Sequence, residues 1–395
     1  MELLNQAISE AKAGNKGTAQ GNMMETQDLI QWLQKEGGPV IRYRTMLELE
    51  ESRALFGDKS LLDPLLQAEK TRWLLEQMDL FGPITHVDIR VLNALHGMKP
   101  ACLENVIPRL LERGLRAGVA AFDEKMERFR QYVDNPLVHR ALEKPEPASV
   151  EEGRALFIAT VLASYFLRGG YEYDEIIQFV THRLELLSRL AAERTYDIYM
   201  SEAELVGLPR QWAGKPVIRA EMVPTSGSRP LPLIHDIFAL AYYPATFLTD
   251  QHRQQLEDIV AYVTDERYRA FPPGYGYIWP ETNRRVCYAC GWNLDLPDLD
   301  SGNPYQQRII VQRLELLAHF PAARKYPWFQ TGMQILEACQ TERGTYRFPS
   351  TYLVELKAGY YVGGEYMGLE DNRRNPKTLE LESTFRMLLL KKRIA

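Results

Sequence analysis

The chain has few of the residues that announce a chemistry. Four cysteines in 395 residues make no disulfide framework. Seven histidines include no His-Glu-x-x-His pair, and none accompanies a Gly-x-Ser-x-Gly elbow, which removes the usual signatures of zinc proteases and serine hydrolases. Basic residues do not predominate: 47 Lys and Arg face 52 Asp and Glu. No footprint for nucleic acid is left, and the basic groups Arg42/Arg44 and Lys391–Arg393 read as solvated helix faces and helix C-termini. The longest apolar run, Leu156 to Leu167, has 12 residues, whereas a membrane span needs about 18. It reads as a buried core helix. No basic segment followed by an apolar one opens the chain, so no signal peptide is expected and a cytoplasmic, reducing location follows. Met23 and Met24 offer an alternative start.

What is present is helix. At 45% hydrophobic and 25% charged the composition is that of a globular protein. Its length exceeds a single ordinary core. Residues 1–25 read as a flexible lead-in. From Asp28 onward, apolar residues recur at spacings of three and four, punctuated by Gly37–Gly38, Gly82–Pro83, Gly97, Gly114 and Gly169–Gly170. The strongest helices are Glu151 to Leu167 and Asp174 to Arg194; in the second, Ile176, Val180, Leu184 and Leu187 share one stripe. With no βαβ alternation, about a dozen helices form antiparallel pairs that must stack to bury their faces. The class is all-α, with residues 26–395 as one body of helical hairpins, divided near 134–149, where Pro136, Pro145 and Pro147 suggest a linker or a crossing between hairpins.

One long insertion interrupts the helices. Between Tyr262 and Trp292 lie eight aromatic residues in 31 positions, among them Tyr275, Tyr277, Trp279, Tyr288 and Trp292. Such rings can line a cavity, stacking on sugars or facing apolar or cationic ligands; equally, they can plug a core or pin the loop. Asp295, Asp298 and Asp300 follow. In an extended segment Asp298 and Asp300 would share a face, suiting a cation or a general acid; alternatively, they cap the next helix. Cys287 and Cys290 lack the second pair a structural zinc site requires, so no metal and no cofactor is indicated. His235–Asp236 can be an oriented base or a surface or core histidine beside a capping aspartate. A second unusual segment, Tyr360 to Asp371, matches no dinucleotide or P-loop pattern. Its Tyr360, Tyr361 and Glu365 join the candidate pocket, while Glu370 and Asp371, ahead of Arg373–Arg374, read as surface ion pairs.

Leu336, Gln340, Gly344 and Tyr346 resemble the Leu-x3-Gln-x3-Gly-x-Trp repeat of terpenoid cyclases and protein prenyltransferases, with tyrosine in place of tryptophan. The stretch from Trp32 to Thr45 is also similar to the start of bacterial proteins related to that superfamily. The resemblance implies an α/α toroid around an apolar cavity. The Asp-x-Asp-Asp acid motif of the cyclases is absent, as is a mappable zinc set of the prenyltransferases. The expected function is therefore a cavity protein that binds, and can transform, an apolar or isoprenoid-like small molecule. Two alternatives stand beside it. One is a glycan-active α/α barrel using stacked rings and carboxylates among Asp295, Asp298, Asp300 and Glu365. The other is a non-catalytic helical scaffold for a protein partner.

Overall fold

The computed structural model describes residues 24–50, 59–80, 89–143, 149–280, 283–303 and 306–395, the side chains of 89–91 excepted. Residues 1–23 of the expected lead-in, Gly82–Pro83, and Pro145 and Pro147 of the expected linker lie outside them.

Among the described residues there are sixteen α-helices and one two-stranded hairpin, so the chain is all-α. In order they are α1 (Thr26–Glu36), α2 (Pro39–Arg44), α3 (Lys59–Gln67), α4 (Glu69–Asp79), α5 (Ile89–Leu95), α6 (Leu103–Glu112), α7 (Ala120–Arg130), α8 (Pro136–Glu143), α9 (Val150–Arg168) and α10 (Asp174–Glu193). There follow α11 (Ile234–Ala241), α12 (Asp250–Thr264), α13 (Glu266–Arg269), α14 (Ile310–Leu317), α15 (Pro327–Glu337) and α16 (Thr378–Ile394). Strands β1 (Tyr277–Ile278) and β2 (Tyr288–Ala289) sit between α13 and α14. None of the described helices is long and apolar enough to cross a membrane. The chain forms two compact units. A terminal unit holds the residues up to Glu76, then Glu112–Gly114 and Leu296–Ala395; a central unit holds Gln77–Leu111 and Leu115–Asp295.

The central unit is built on α9. Ser149 Oγ accepts the Glu152 amide at 3.1 Å and caps its start. Of the apolar run, all but Phe157 is fully buried, each large aliphatic or aromatic side chain contributing about 1.5–3 kcal/mol. Thr160 and Ser164 return their hydroxyls to the Leu156 and Val161 carbonyls, so no polar group in the run is left unbonded. Gly169 follows, and Gly170 at φ +79° ends the helix. Helix α9 packs against α8 and α11, and α10 against α12. The expected linker or crossing contains α8, whose Val138, Ala141 and Leu142 are buried. Pro136 opens that helix, at the one position where a missing N–H costs nothing. Asn135 Oδ1 accepts the Leu137 amide at 2.9 Å.

The terminal unit buries charge. Helix α16 packs against α1, α2, α14 and a π-helical turn at Thr45–Leu49. Arg386, wholly buried, donates from Nη1 to Glu315 at 2.8 and 2.7 Å and from Nη2 to Glu112 Oε2 at 3.1 Å. Tyr361 Oη donates to Glu112 Oε1 at 2.8 Å. Arg44, expected on a solvated face, is 3% exposed. Its guanidinium lies 4.6 Å over the Phe385 ring, pairs with Glu48 at 2.6 Å and reaches the Glu112 carbonyl at 2.8 Å. Lys392 Nζ is likewise spent, on the Glu48 and Leu49 carbonyls that the π-turn leaves open. A guanidinium can enter a core when most of its fork is filled: both Nη groups of Arg386 are bonded, while its buried Nε has no partner among the described residues. Removing Arg386 leaves Glu112 and Glu315 short of their cation in a dry site. Arg386→Met is expected to cost about 3–5 kcal/mol, read by denaturant unfolding.

The reading of Glu370 is also corrected, whereas Asp371 is exposed and ion-paired, though to another arginine than expected. Asp371 pairs with buried Arg113 at 2.8 Å, and Glu370 turns inward, accepting the Ile41 amide at 2.8 Å. Arg373, the expected surface partner, pairs instead with buried Glu382. Burial pushes the Glu370 carboxyl up to about 7, against the pull of the Ile41 amide and Arg113. A carboxyl raised in the folded state favours the fold when protonated, so its contribution is present below about pH 4.5 and lost as pH rises through 7. Glu370→Gln is expected to flatten the decline in stability between pH 5 and 8. At pH 8 it should gain on the order of 2 kcal/mol over wild type. Parallel pH profiles in the two proteins would contradict this.

Candidate functional site

The aromatic insertion is pinned from its middle. Tyr275 has φ +60° and lies between Gly274 (φ +74°) and Gly276 (φ +139°). A Cβ at Gly274 would stand 2.4 Å from the Gly291 carbonyl, and one at Gly276 2.4 Å from that of Pro216, so only glycine lets the backbone turn here. The turn drives Tyr275 inward. Its ring is fully buried, its hydroxyl donates to the Pro232 carbonyl at 2.6 Å, and it meets the Tyr268 hydroxyl at 2.6 Å. Tyr262, Tyr268 and Phe271 complete an edge-on cluster around it. Trp279 closes a small core with Val217 and Cys287 and donates from Nε1 to the Arg284 carbonyl at 3.1 Å. Strands β1 and β2 pair Tyr277 with Ala289 and Ile278 with Tyr288.

Of the five rings proposed to meet a ligand, Tyr275 and Trp279 are therefore enclosed. Tyr277 lies partly open, with the Trp212 ring 5.0 Å away and Lys215 over both. Trp292 is partly buried, its carbonyl accepting the Ile234 amide at 2.8 Å, and Tyr288 is 48% exposed. A recess in the central unit lies elsewhere, lined by Thr160, Phe179, Val180, Arg183 and Asp236, with room for about one water molecule.

The carboxylates do not form an extended face. Asp295 stands at φ +45°, while Asp298 and Asp300 are exposed in a turn in which Asp298 Oδ1 accepts the Asp300 amide at 3.0 Å. This is a local aspartate turn and not the helix cap the sequence offered as the alternative, since α14 begins at Ile310 with no side-chain cap. Glu365 pairs with Arg308 at 2.9 Å and accepts the Tyr360 amide at 2.5 Å. Tyr360, Tyr361 and Glu365 belong to the terminal unit with Asp298 and Asp300; Asp295 and the five rings belong to the central unit. Cys287 and Cys290 are buried thiols whose ionisation burial opposes. Among the described residues no three His, Cys, Asp or Glu side chains are placed to hold a metal ion.

A different constellation comes together in the central unit. Helix α5 ends as the His96 amide bonds to the Leu92 carbonyl at 2.7 Å, and the chain turns at Gly97 (φ +158°). Asn105 Nδ2 holds that turn, donating to the Gly97 and Lys99 carbonyls at 2.9 Å each. His96 is thus carried back over the first turn of α6, where Glu104 is wholly buried. His96 Nδ1 lies 2.5 Å from Glu104 Oε2. On the other side His235, from α11, lies with Nε2 3.6 Å from Glu104 Oε1. Helix α9 supplies the walls: Phe157 sets its edge to both imidazoles at 5.6 and 6.4 Å, and Tyr165 faces His235 at 6.2 Å. Tyr165 also donates its hydroxyl to the Glu104 carbonyl at 3.1 Å.

One carboxylate thus serves two histidines in different surroundings. The His96 side chain is 32% exposed, and those of Glu104 and His235 are 0% exposed. Burial works against a proton on His96, but the hydrogen bond and charge of Glu104 outweigh it and raise the affinity. At His235 burial wins over Glu104 and Asp236 and holds the ring neutral. Asp236 does not orient His235. It forks onto Arg183 at 3.0 and 2.8 Å and caps α11 through the Leu233 amide at 2.9 Å. An imidazole at the surface with a dry carboxylate behind Nδ1 is equipped to take and return a proton at Nε2.

Compared with known proteins, the chain matches no family model, no curated protein and no solved structure.

Glu104→Gln keeps the shape of the side chain and removes its charge. It is expected to lower the His96 midpoint by about one pH unit in an NMR titration. An unchanged midpoint would show that Glu104 does not govern His96.

Proposed function

We propose that the protein acts on a small molecule by proton transfer at His96, with Glu104 as the orienting carboxylate. The observation that carries this reading is the 2.5 Å contact between a partly exposed imidazole and a carboxylate with no exposure to water. Perturbed ionisation beside a buried partner is a mark of functional sites. The neutral ring can accept a proton from a polarised C–H or O–H group or from water, and the charged ring can return it.

The ligand class follows from the terpenoid cyclase and prenyltransferase resemblance: apolar or isoprenoid-like, within an α/α toroid. Its support is local. Gln340 Nε2 donates to the Gly344 carbonyl at 3.4 Å, and Tyr346 is buried against α16, its amide bonded to Thr384 at 2.8 Å. Half-exposed Tyr288 supports the glycan alternative, since an open ring face can stack on a sugar.

The test is a thermal-shift and turnover screen against prenyl diphosphates, lipids and oligosaccharides, with wild type, His96→Gln, Trp279→Ala and Tyr288→Ala. At about 100 times its dissociation constant a ligand adds roughly 2.7 kcal/mol. The expected result is stabilisation by an isoprenoid or lipid, with His96→Gln still binding it but converting it at least about 100-fold more slowly. An oligosaccharide shift lost in Tyr288→Ala would move the ligand class to glycans. Turnover unchanged in His96→Gln would end the proton-transfer reading, and no shift from any class would favour the scaffold.

A further inference from the structure

We infer that His235 is the positioning residue of the His96–Glu104 pair, its Nε2–H holding Glu104 Oε1 so that Oε2 stays turned to His96. This rests on the proton-transfer reading above and assigns within it a role to a group that touches no ligand.

The geometry leaves His235 one charged group to serve. Its ring is wholly buried, and among the described residues neither nitrogen has a hydrogen-bond partner. Glu104 Oε1 is also buried without one. These two unmet atoms stand 3.6 Å apart. That gap is too narrow for a water between them, and a movement of about half an ångström makes it a hydrogen bond. Leaving a buried polar atom unbonded is costly, so a leucine or phenylalanine would pack here more cheaply if packing were the only demand. Phe157 and Tyr165 fix the ring by their edges, at interplanar angles of 80° and 77°, so that its orientation is set from α9.

Among the described residues the titratable and charged groups facing His235 are few. They are Glu104 on α6, His96 beyond α5, Tyr165 on α9, and Asp236 on its own helix, the last already forked onto Arg183 of α10. A neutral ring in this place is an N–H donor. It shares the carboxylate's charge and so restrains how firmly Glu104 holds the proton on His96. Without it the whole charge turns to His96, whose proton is then held more tightly and exchanged less readily near neutral pH.

The test is an NMR titration of His96 in the full chain, in wild type, His235→Phe and His235→Gln. The glutamine amide can place an N–H where Nε2 stood. His235→Phe is expected to raise the His96 midpoint by about half a unit or more, and His235→Gln to keep it within ~0.2 unit of wild type. A phenylalanine midpoint that falls or stays put, or equal shifts in both variants, overturns the assignment. A fold-independent check is the ring nitrogens of wild-type His235, which should report a neutral ring protonated on Nε2 from pH 5 to 8; protonation on Nδ1 instead overturns it as well. These readouts need no substrate, so they remain decisive even if His96→Gln leaves turnover unchanged.

Discussion

A carboxylate taken out of water must be held by donors that stay in place, and in each unit of this protein a buried glutamate sets that demand. Both glutamates lie on α6: Glu104 in its first turn and Glu112 at its end. Glu112 is met by Arg386 and Tyr361, with Arg44 on its carbonyl. Guanidinium groups do not give up protons at any ordinary pH, so that network is fixed in charge and serves the fold. Glu104 is met by imidazoles, which do give up protons. The same constraint, satisfied by a different donor, yields scaffold in one case and a basis for chemistry in the other.

The aromatic insertion answers to the same economy of buried polar groups. Tyr275 goes inward because Gly274 and Gly276 let the backbone take a left-handed path, and it can stay there because the Pro232 carbonyl and Tyr268 satisfy its hydroxyl. Trp279 is held by Arg284 in a similar way. Tyr277 and Tyr288, which remain open, lie on the hairpin, where β1 is partly buried and β2 is exposed. Aromatic density in a sequence therefore marks a segment that must be organised. Which rings face outward depends on where each polar end finds a partner.

The helical class was legible because the 3.6-residue stripe is a local signal. Glu151 to Leu167 was read within a residue of α9, as was Asp174 to Arg194 of α10. Helix α8 was not read because proline at the first helical position and proline in a loop look alike from sequence. Arg44 and Glu370 misled for another reason: a charge is assigned to the surface unless the groups that receive it inside are known, and the Glu112 carbonyl and the Ile41 amide lie far from them in the chain. The His96–Glu104–His235 constellation was hidden most thoroughly. His96 and Glu104 are joined across a turn with no fixed spacing, and His235 follows Glu104 by 131 positions. The one local hint, His235 beside Asp236, pointed to the wrong carboxylate.

The central claim is that Glu104 fixes the tautomer of His96, and the ring-nitrogen chemical shifts of His96 in the wild-type protein test it most directly. The account predicts that Nδ1 carries a proton throughout pH 5 to 9 while Nε2 alone gains and loses one, with a midpoint above the ordinary histidine value. A neutral ring protonated on Nε2, with Nδ1 bare, would mean that Glu104 does not accept from His96. The proposed proton transfer would then lose its foundation.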